Sequence, residues 1–378
     1  MNIPFARSGR STVGIEWELA LVDADSGDLR QVAETVLESV RPPGAESHPH
    51  VHPELLLNTI EVVSGVGRTV KEAGADLDRT LAELRAVTEP LRVDVMCAGT
   101  HPFARPAYQR VTNKERYAEL INRTQWWGRQ MVIYGVHVHV GVEDRAKVLP
   151  IMHAMLTVLP HLQSLSASSP YWDGQDTGYA SNRTLLFQQL PTAGLPVDVH
   201  TWPDLEGYVA GMLKTGVIDH FDELRWDIRP APHLGTLELR VFDGVSNLSE
   251  LLALAALGHC LVEHFSTMLD RGERLPGMPR WFVEENKWRS ARYGMDAIII
   301  LDADGEEALV TEDLRRLLTE LEPVAERLGC TEELAGLETV LTRGAGYQRQ
   351  QAVAAASYGK LDAVVTHLVQ EMRAGHPL

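Results

Sequence analysis

Residues 11–23, STVGIEWELALVD, decide the architecture. Carboxylates at alternate positions inside an apolar run make a β-strand, because successive strand side chains point to opposite faces. Glu16 and Glu18 share a face. Around them, Gly14, Ile15, Leu19 and Leu21 have the character of core. Two neighbouring carboxylates repel each other and are costly to bury, and a cation between them removes the conflict. A solvent-exposed edge strand accounts for the pair equally well.

Three further stretches share this mixture. In 54–63, ELLLNTIEVV, Glu54 and Glu61 interrupt an apolar strand. Their odd separation puts them on opposite faces unless a bulge or a bent entry intervenes, and Glu61 is the better placed. In 134–141, YGVHVHVG, His137 and His139 share a face with valines opposite, which suits metal or phosphate contact as well as a pair of core histidines. In 235–243, GTLELRVFD, Glu238 and Arg240 share one face while Leu237, Leu239 and Val241 take the other. That pair reads either as a salt bridge or as a metal ligand beside a phosphate clamp. Arg229 in WDIRP and Arg183 in SNRTLLF supply further guanidiniums. The polar, Gly-containing segment Asp173–Ser181 is a candidate lid. Four strands presenting charge from apolar surroundings are hard to explain as separate surface accidents. Oxygen-rich donors favour Mg²⁺ or Mn²⁺ over zinc, and arginines around such ions point to nucleotide phosphates.

Between these strands, helices are expected over 31–40, 68–89, 145–167 (bent at Pro150 and Pro160) and 249–269, with nearly continuous helix from Glu306 onward. Further strands are expected at 91–98 and 131–142, and an antiparallel pair at 224–228 and 236–242 with a Pro-containing loop between. The fold class is α+β. We expect a single catalytic domain over 1–378, divided into a nucleotide- and metal-binding core, 11–300, and a helical C-terminal segment, 301–378.

Composition narrows the function. The 378 residues carry 35 Lys plus Arg against 52 Asp plus Glu, so the net charge is 35 − 52 = −17. Such a surface repels nucleic acid. The three cysteines, Cys97, Cys260 and Cys330, form no CxxC pair, which fits a reducing, cytoplasmic setting. Cys97 reads as a structural thiol in a buried strand. The apolar run Leu251–Leu257 is too short for a membrane span. No P-loop, dinucleotide fingerprint, HExxH or GxSxG occurs. His259, Glu263 and His264 miss an inverted zinc motif by one residue and read as ordinary helix residues. Gln125-Trp126-Trp127-Gly128 is assigned to the core in preference to an amine pocket.

Taken in order, VGIEWELALVD, ELLLNTIEVVSG, CAGTHPFA, GVHVHVGVED, SNRTLLFQQLPTAGLP, WDIRP, GTLELRVFD and ENKWRSARYG resemble the bacterial carboxylate–amine ligase family, also known as glutamate–cysteine ligase type 2. The resemblance runs from about Val13 to about Gly294 and returns weakly at Gly344–Gln351. It implies a glutamine-synthetase-like fold, in which an antiparallel, funnel-shaped sheet holds ATP and metal on its inner face with helices outside. It implies Mg²⁺ ligation by Glu16, Glu18, Glu61 and Glu238, joined by Glu54 and His137. Arg240 is expected at the ATP γ-phosphate and, with Glu61, in catalysis. Arg183, Arg229, Arg289 and Arg292 are expected at phosphate or substrate, and His139 at substrate. The implied reaction activates a carboxylate, by default that of glutamate, as an acyl phosphate that an amine, by default cysteine, then attacks. Other acid or amine substrates, an ATP-independent metal amide hydrolase and a non-catalytic nucleotide-binding regulator stay open. A homodimer is the base-rate expectation.

Overall fold

The alternation in residues 13–23 produces an 11-residue strand, β1 (Val13–Asp23), that forms the spine of the molecule. The computed structural model describes residues 2–378. The other strands are β2 (Val51–Pro53), β3 (Thr59–Val63), β4 (Val93–Met96), β5 (Gly135–Gly141), β6 (Tyr171–Trp172), β7 (Gln175–Asp176), β8 (Ile228–Ala231), β9 (Thr236–Asp243), β10 (Ile298–Ile300) and β11 (Glu307–Leu309). The helices are α1 (Ala33–Val40), α2 (Val70–Thr88), α3 (Glu115–Thr124), α4 (Trp126–Arg129), α5 (Arg145–Ser166), α6 (Asn182–Phe187), α7 (Trp202–Lys214), α8 (Leu248–Asp270), α9 (Arg280–Tyr293), α10 (Val310–Leu328), α11 (Thr331–Ala335), α12 (Leu337–Arg343), α13 (Gly346–Ala356) and α14 (Leu361–Ala374).

Seven strands form one sheet in the order β2-β3-β1-β5-β9-β8, with β4 also paired to β1. Every pairing is antiparallel. β1 is long enough to serve several partners. Residues 16–20 pair with β3, residues 13–17 with β5 and residues 20–23 with β4. Ile15, Trp17, Leu19 and Leu21 are fully buried, while Glu16 and Glu18 on the opposite face keep some exposure. The buried side is covered by helices: α2 packs on β1, α8 on β5, and α5 on β8 and β9. Gly258 of α8 sits so close to the sheet that a Cβ would come within 2.6 Å of Leu239. Each of these helices starts at a side-chain cap that the sequence supplies: Thr69 for α2, Asp144 for α5 and Asn247 for α8. α5 and α8 are long and apolar enough to cross a membrane, but 83% and 78% of their most apolar windows is buried inside the protein. One hydrophobic cluster runs from Ile3 to Met372 and includes residues of the C-terminal helices.

Several expectations need correction. Residues 54–63 are not one strand. β2 and β3 are paired strands, and 54–58 make the turn between them, so no bulge is needed to reconcile Glu54 with Glu61. The strands expected at 91–98 and 131–142 shorten to 93–96 and 135–141. The pair expected at 224–228 and 236–242 is shifted: β8 covers 228–231 and includes Pro230. β8 is an edge strand, where a residue without an N–H is tolerated. The C-terminal segment starts with β11, paired to β10, before helix takes over at Val310. α5 runs as one helix through Pro150 and Pro160. Trp126 and Trp127 are not core: they are 62% and 40% exposed. Segment 173–181 opens with the tight β6–β7 hairpin, whose Gly174 N–H bonds the Pro102 carbonyl.

Candidate functional site: a carboxylate and histidine row on the open sheet face

Ladder register brings the charged residues together. Glu18 lies directly opposite Glu61 across β1 and β3, and Glu16 opposite His137 across β1 and β5. His139 faces Glu238 across β5 and β9, and Arg229 faces Glu238 across β8 and β9. Paired strands are about 4.8 Å apart, so opposed side chains on one face must meet. The contacts are direct. His137 Nδ1 is 2.7 Å and His139 Nε2 3.1 Å from the two Glu16 carboxylate oxygens. His139 Nε2 lies 3.9 Å from Glu238, and Arg229 Nε donates to Glu238 Oε2 at 2.5 Å. Arg240 Nη1 donates to the other Glu238 oxygen. One donor atom each from Glu16, His137 and Glu238 lies within 4.8 Å of the others. The same holds for Glu18, Glu61 and His137, so His137 joins two potential cation positions.

A register shift in β9 adjusts this arrangement. Val136 pairs with Phe242 but Val138 with Leu239, so one residue of β5 faces two of β9. Simple alternation would put Phe242 on the same face as Glu238 and Arg240. The extra residue lets Phe242 join Leu239 in the core while Glu238 and Arg240 remain in contact.

The electrostatics divide the carboxylates into two groups. Burial, then the charge of Glu54, push Glu18 up to about 7. Burial also raises Glu54, and it raises Glu61 strongly, with repulsion from Glu54, Glu16 and Glu18 adding to it. Glu16 goes the other way: burial opposes its ionisation, but hydrogen bonds with His137 and His139 outweigh it and hold the carboxyl well below the usual range. Burial is likewise overcome at Glu238, by Arg240 and Arg229. Burial and then Arg240 depress His137 to about 4; burial also works against His139, but Glu16 and Glu238 raise it.

Beside this row opens a cleft of about 750 Å³, lined by Glu18, Glu54, His137, Arg183 and Arg240 among others. Arg116, Arg123 and Arg225 extend its cationic wall. Burial depresses Arg225, and the guanidiniums of Arg240, Arg229 and Arg123 add to this against the pull of Glu223. A crowded cationic wall facing buried carboxylates can receive an anion on one side and a divalent cation on the other.

The expected residues Glu16, Glu18, Glu54, Glu61, His137, His139, Arg183, Arg229, Glu238 and Arg240 therefore gather at this face. Arg289 and Arg292 do not. Arg289 pairs with Glu285 and Glu307 beside a separate surface hollow, and Arg292 bonds the Gly178 carbonyl. Helix geometry explains the difference. Lys287 takes the inward face of α9 and forms a buried ion pair with Asp227 at 2.5 Å, while Arg289, about 200° further round, faces outward. No residue of 173–181 lines the cleft. His259 is a core histidine whose Nε2 bonds the Ser11 carbonyl. Cys97 is buried just beyond β4 with its thiol on the Glu18 carbonyl.

Sequence reasoning overlooked Gly135. Its N–H donates to Glu18 Oε2 at 2.5 Å, and a Cβ there would fall 2.1 Å from Arg183 Nη2. A glycine opening the strand that carries HVH was the available signal. It also overlooked Asp243, which accepts from Ser168 N, Ser169 Oγ and Ser181 Oγ and so anchors the turn leading to Arg183. Arg116 and Arg225 carried no local pattern that set them apart.

Comparison with known proteins agrees with this architecture. A relative from Arthrobacter sp. (strain FB24), provisionally named glutamate–cysteine ligase 2-1, is 58% identical over 380 residues, covering 99% of each chain. One from Clavibacter sepedonicus, provisionally named glutamate–cysteine ligase 2, is 59% identical over 376 residues, covering 99% of this chain and 98% of its own. The crystal structure of a glutamate–cysteine ligase from Francisella tularensis in complex with AMP superposes with a TM-score of 0.69 at 13% identity, covering 98% of this chain and 90% of that one. The expected antiparallel α+β class is thus the fold of this chain, and it is shared with that ligase. The model of glutamate–cysteine ligase family 2 matches residues 12–367, and the chain is a ligase-type member of that family.

Proposed function

We propose that this protein is an ATP-dependent, ADP-forming ligase that joins the side-chain carboxyl of glutamate to the amine of a second amino acid, with cysteine as the default amine. The observation that carries this reading is the meeting of Glu16, Glu18, Glu61, Glu238 and His137 on one sheet face beside an arginine-walled cleft. Family membership supports the ligase class. The AMP bound to the Francisella tularensis relative supports a nucleotide in the cleft.

The donor set fits a hard divalent cation. Carboxylates predominate, and the raised Glu18, Glu54 and Glu61 mark a place short of positive charge. In this reading Glu16, Glu18, Glu61 and Glu238, with His137 and the neighbouring Glu54, would hold Mg²⁺ or Mn²⁺. When bound, such an ion supplies charge neutralisation for the triphosphate.

The chain's own residues do the rest. Arg240 lies next to the carboxylates and is buried, so its charge is little screened toward a transferring γ-phosphoryl group. Arg183, fixed against Gly135, faces the same cleft and is assigned to phosphate or substrate. Arg229 orients Glu238, and His137 and His139 orient Glu16. Transfer of the γ-phosphoryl group to the glutamate carboxylate releases ADP and gives an acyl phosphate. Attack by the amine nitrogen on the acyl carbon then expels phosphate and forms the amide. The cleft walls must keep water from the acyl phosphate meanwhile. No enzyme nucleophile enters this sequence.

The test is phosphate release from ATP with Mg²⁺ and glutamate, with and without cysteine, followed by product analysis over a panel of amines. Release that requires both the acid and an amine supports the reading. Amide turnover that persists without nucleotide would replace it with a hydrolase.

A further inference from the structure

Away from the cleft, the turn between α6 and α7 carries a cluster that the ligase reaction does not use. Val199 N–H bonds the Val197 carbonyl at 2.9 Å, closing a three-residue turn. Val199 is buried, so the turn is anchored while Asp198 and His200 project outward, their side chains 79% and 66% exposed. His153, half-buried on α5, reaches the same point. One donor atom each of His153, Asp198 and His200 lies within 4.8 Å of the others. The two imidazoles lie 4.6 Å apart at their centroids and are tilted 32°. His200 Nε2 is 2.9 Å from Asp198 Oδ1.

A backbone contact fixes the tautomer of His153. Its Nε2 lies 2.7 Å from the Val199 carbonyl, which can only accept, so Nε2 carries the proton and Nδ1 carries the lone pair. A histidine whose other ring nitrogen donates to a backbone carbonyl is the arrangement found at metal-ligating imidazoles. Burial lowers its proton affinity, and His200 and Arg280 add to this against the Val199 carbonyl and Asp198. Arg280 is itself engaged by Glu284 and the Pro196 carbonyl.

We propose that His153, Asp198 and His200 form a second cation site, selective for a borderline transition metal of the Zn²⁺ class and separate from the carboxylate row. Two imidazoles and one carboxylate, with solvent completing the shell, suit Zn²⁺, Co²⁺ or Ni²⁺; the oxygen-rich cleft suits Mg²⁺. Metal–ligand bonds of about 2.0–2.1 Å in a tetrahedron set donor separations of about 3.3 Å, so the His200–Asp198 pair opens by only a few tenths of an ångström. The ion would tie α5, which backs β8 and β9, to the entry of α7.

Titration of the full-length protein with Zn²⁺ by calorimetry, in saturating Mg²⁺ so that the cleft is filled, tests this. One equivalent of Zn²⁺ is expected in the wild type, with affinity at least about tenfold weaker in both His200→Ala and Asp198→Asn and unchanged in Glu16→Gln. Both altered side chains are exposed, so the fold is not at risk. No Zn²⁺ binding in the wild type, unaltered binding in either variant of the turn, or loss of the same equivalent in Glu16→Gln overturns the proposal. Failure here leaves the ligase reading untouched, because the phosphate-release assay does not involve these residues.

Discussion

Glu18 on β1 stands directly across the ladder from Glu61 on β3, two carboxylates held on one face by backbone hydrogen bonds that neither can escape. Burial raises both; the charge of Glu54 adds to this at each, and that of Glu18 adds to it at Glu61. A fold that sought only stability would not place them so, and this opposition is the physical reason for which we propose a cation at this face.

Replacing Glu61 with Gln removes one side of that repulsion. Without divalent cation, the variant is expected to unfold at higher temperature than the wild type, by an amount equivalent to about 1 kcal/mol. Adding Mg²⁺ is expected to raise the wild-type midpoint more than that of the variant. Thermal melts with EDTA and with Mg²⁺ measure both, and a variant that is less stable without metal contradicts the assignment.

Glu238 is gripped by Arg229 and Arg240, and the three are largely buried. Glu238→Gln keeps the volume but removes the carboxylate that the two guanidiniums share. We expect phosphate release to fall at least about 100-fold, on the scale of losing one preorganised electrostatic group. Stability should also drop by about 3 kcal/mol, as when one partner of a buried pair is removed. Circular dichroism checks that the fold survives, and unchanged turnover refutes the role.

The guanidinium of Arg183 fills the space that a Cβ at Gly135 would take. Gly135→Ala should displace the guanidinium and weaken the N–H bond to Glu18. We expect kcat/KM to fall about tenfold or more, since misplacing a cleft residue by an ångström is enough for such a loss. Steady-state kinetics decide, with Gly207→Ala as a control where a Cβ meets nothing within 4 Å.

The C-terminal helices are joined to the body by a buried cluster in which Arg349 of α13 holds both Glu250 of α8 and Glu371 of α14. Burial opposes ionisation of Glu371, but His367 and Arg349 overcome it and bring it down to about 2. Its folded pKa lies below the unfolded value of 4.5, so its stabilisation is complete above that value. It is lost as pH falls from about 4.5 toward 2. A shift of this size corresponds to about 3 kcal/mol. In urea unfolding at pH 7, Glu371→Gln should be less stable by roughly that amount, with the gap narrowing through pH 4 and closing near pH 2.

The sequence alone determined that a strand lies within 11–23, the shared face of Glu16 and Glu18, and that of His137 and His139. All of these are local: they follow from a period of two and need no distant partner. The family motifs carried the metal and phosphate candidates, ten of which come together at one face, eight of them from strands of the sheet. Only the tertiary structure decided which strands lie side by side, and hence that Glu61 meets Glu18 and that His137 is common to two clusters. Only it showed that Arg289 points away while Lys287 turns inward, that Arg183 occupies the space a side chain at Gly135 would take, and that an extra residue in β9 sends Phe242 to the core. Register, approach distance and bulges are relations between segments far apart in the chain. They are settled by which packing buries Trp17, Leu239 and Phe242 together, and local pattern holds no record of that choice.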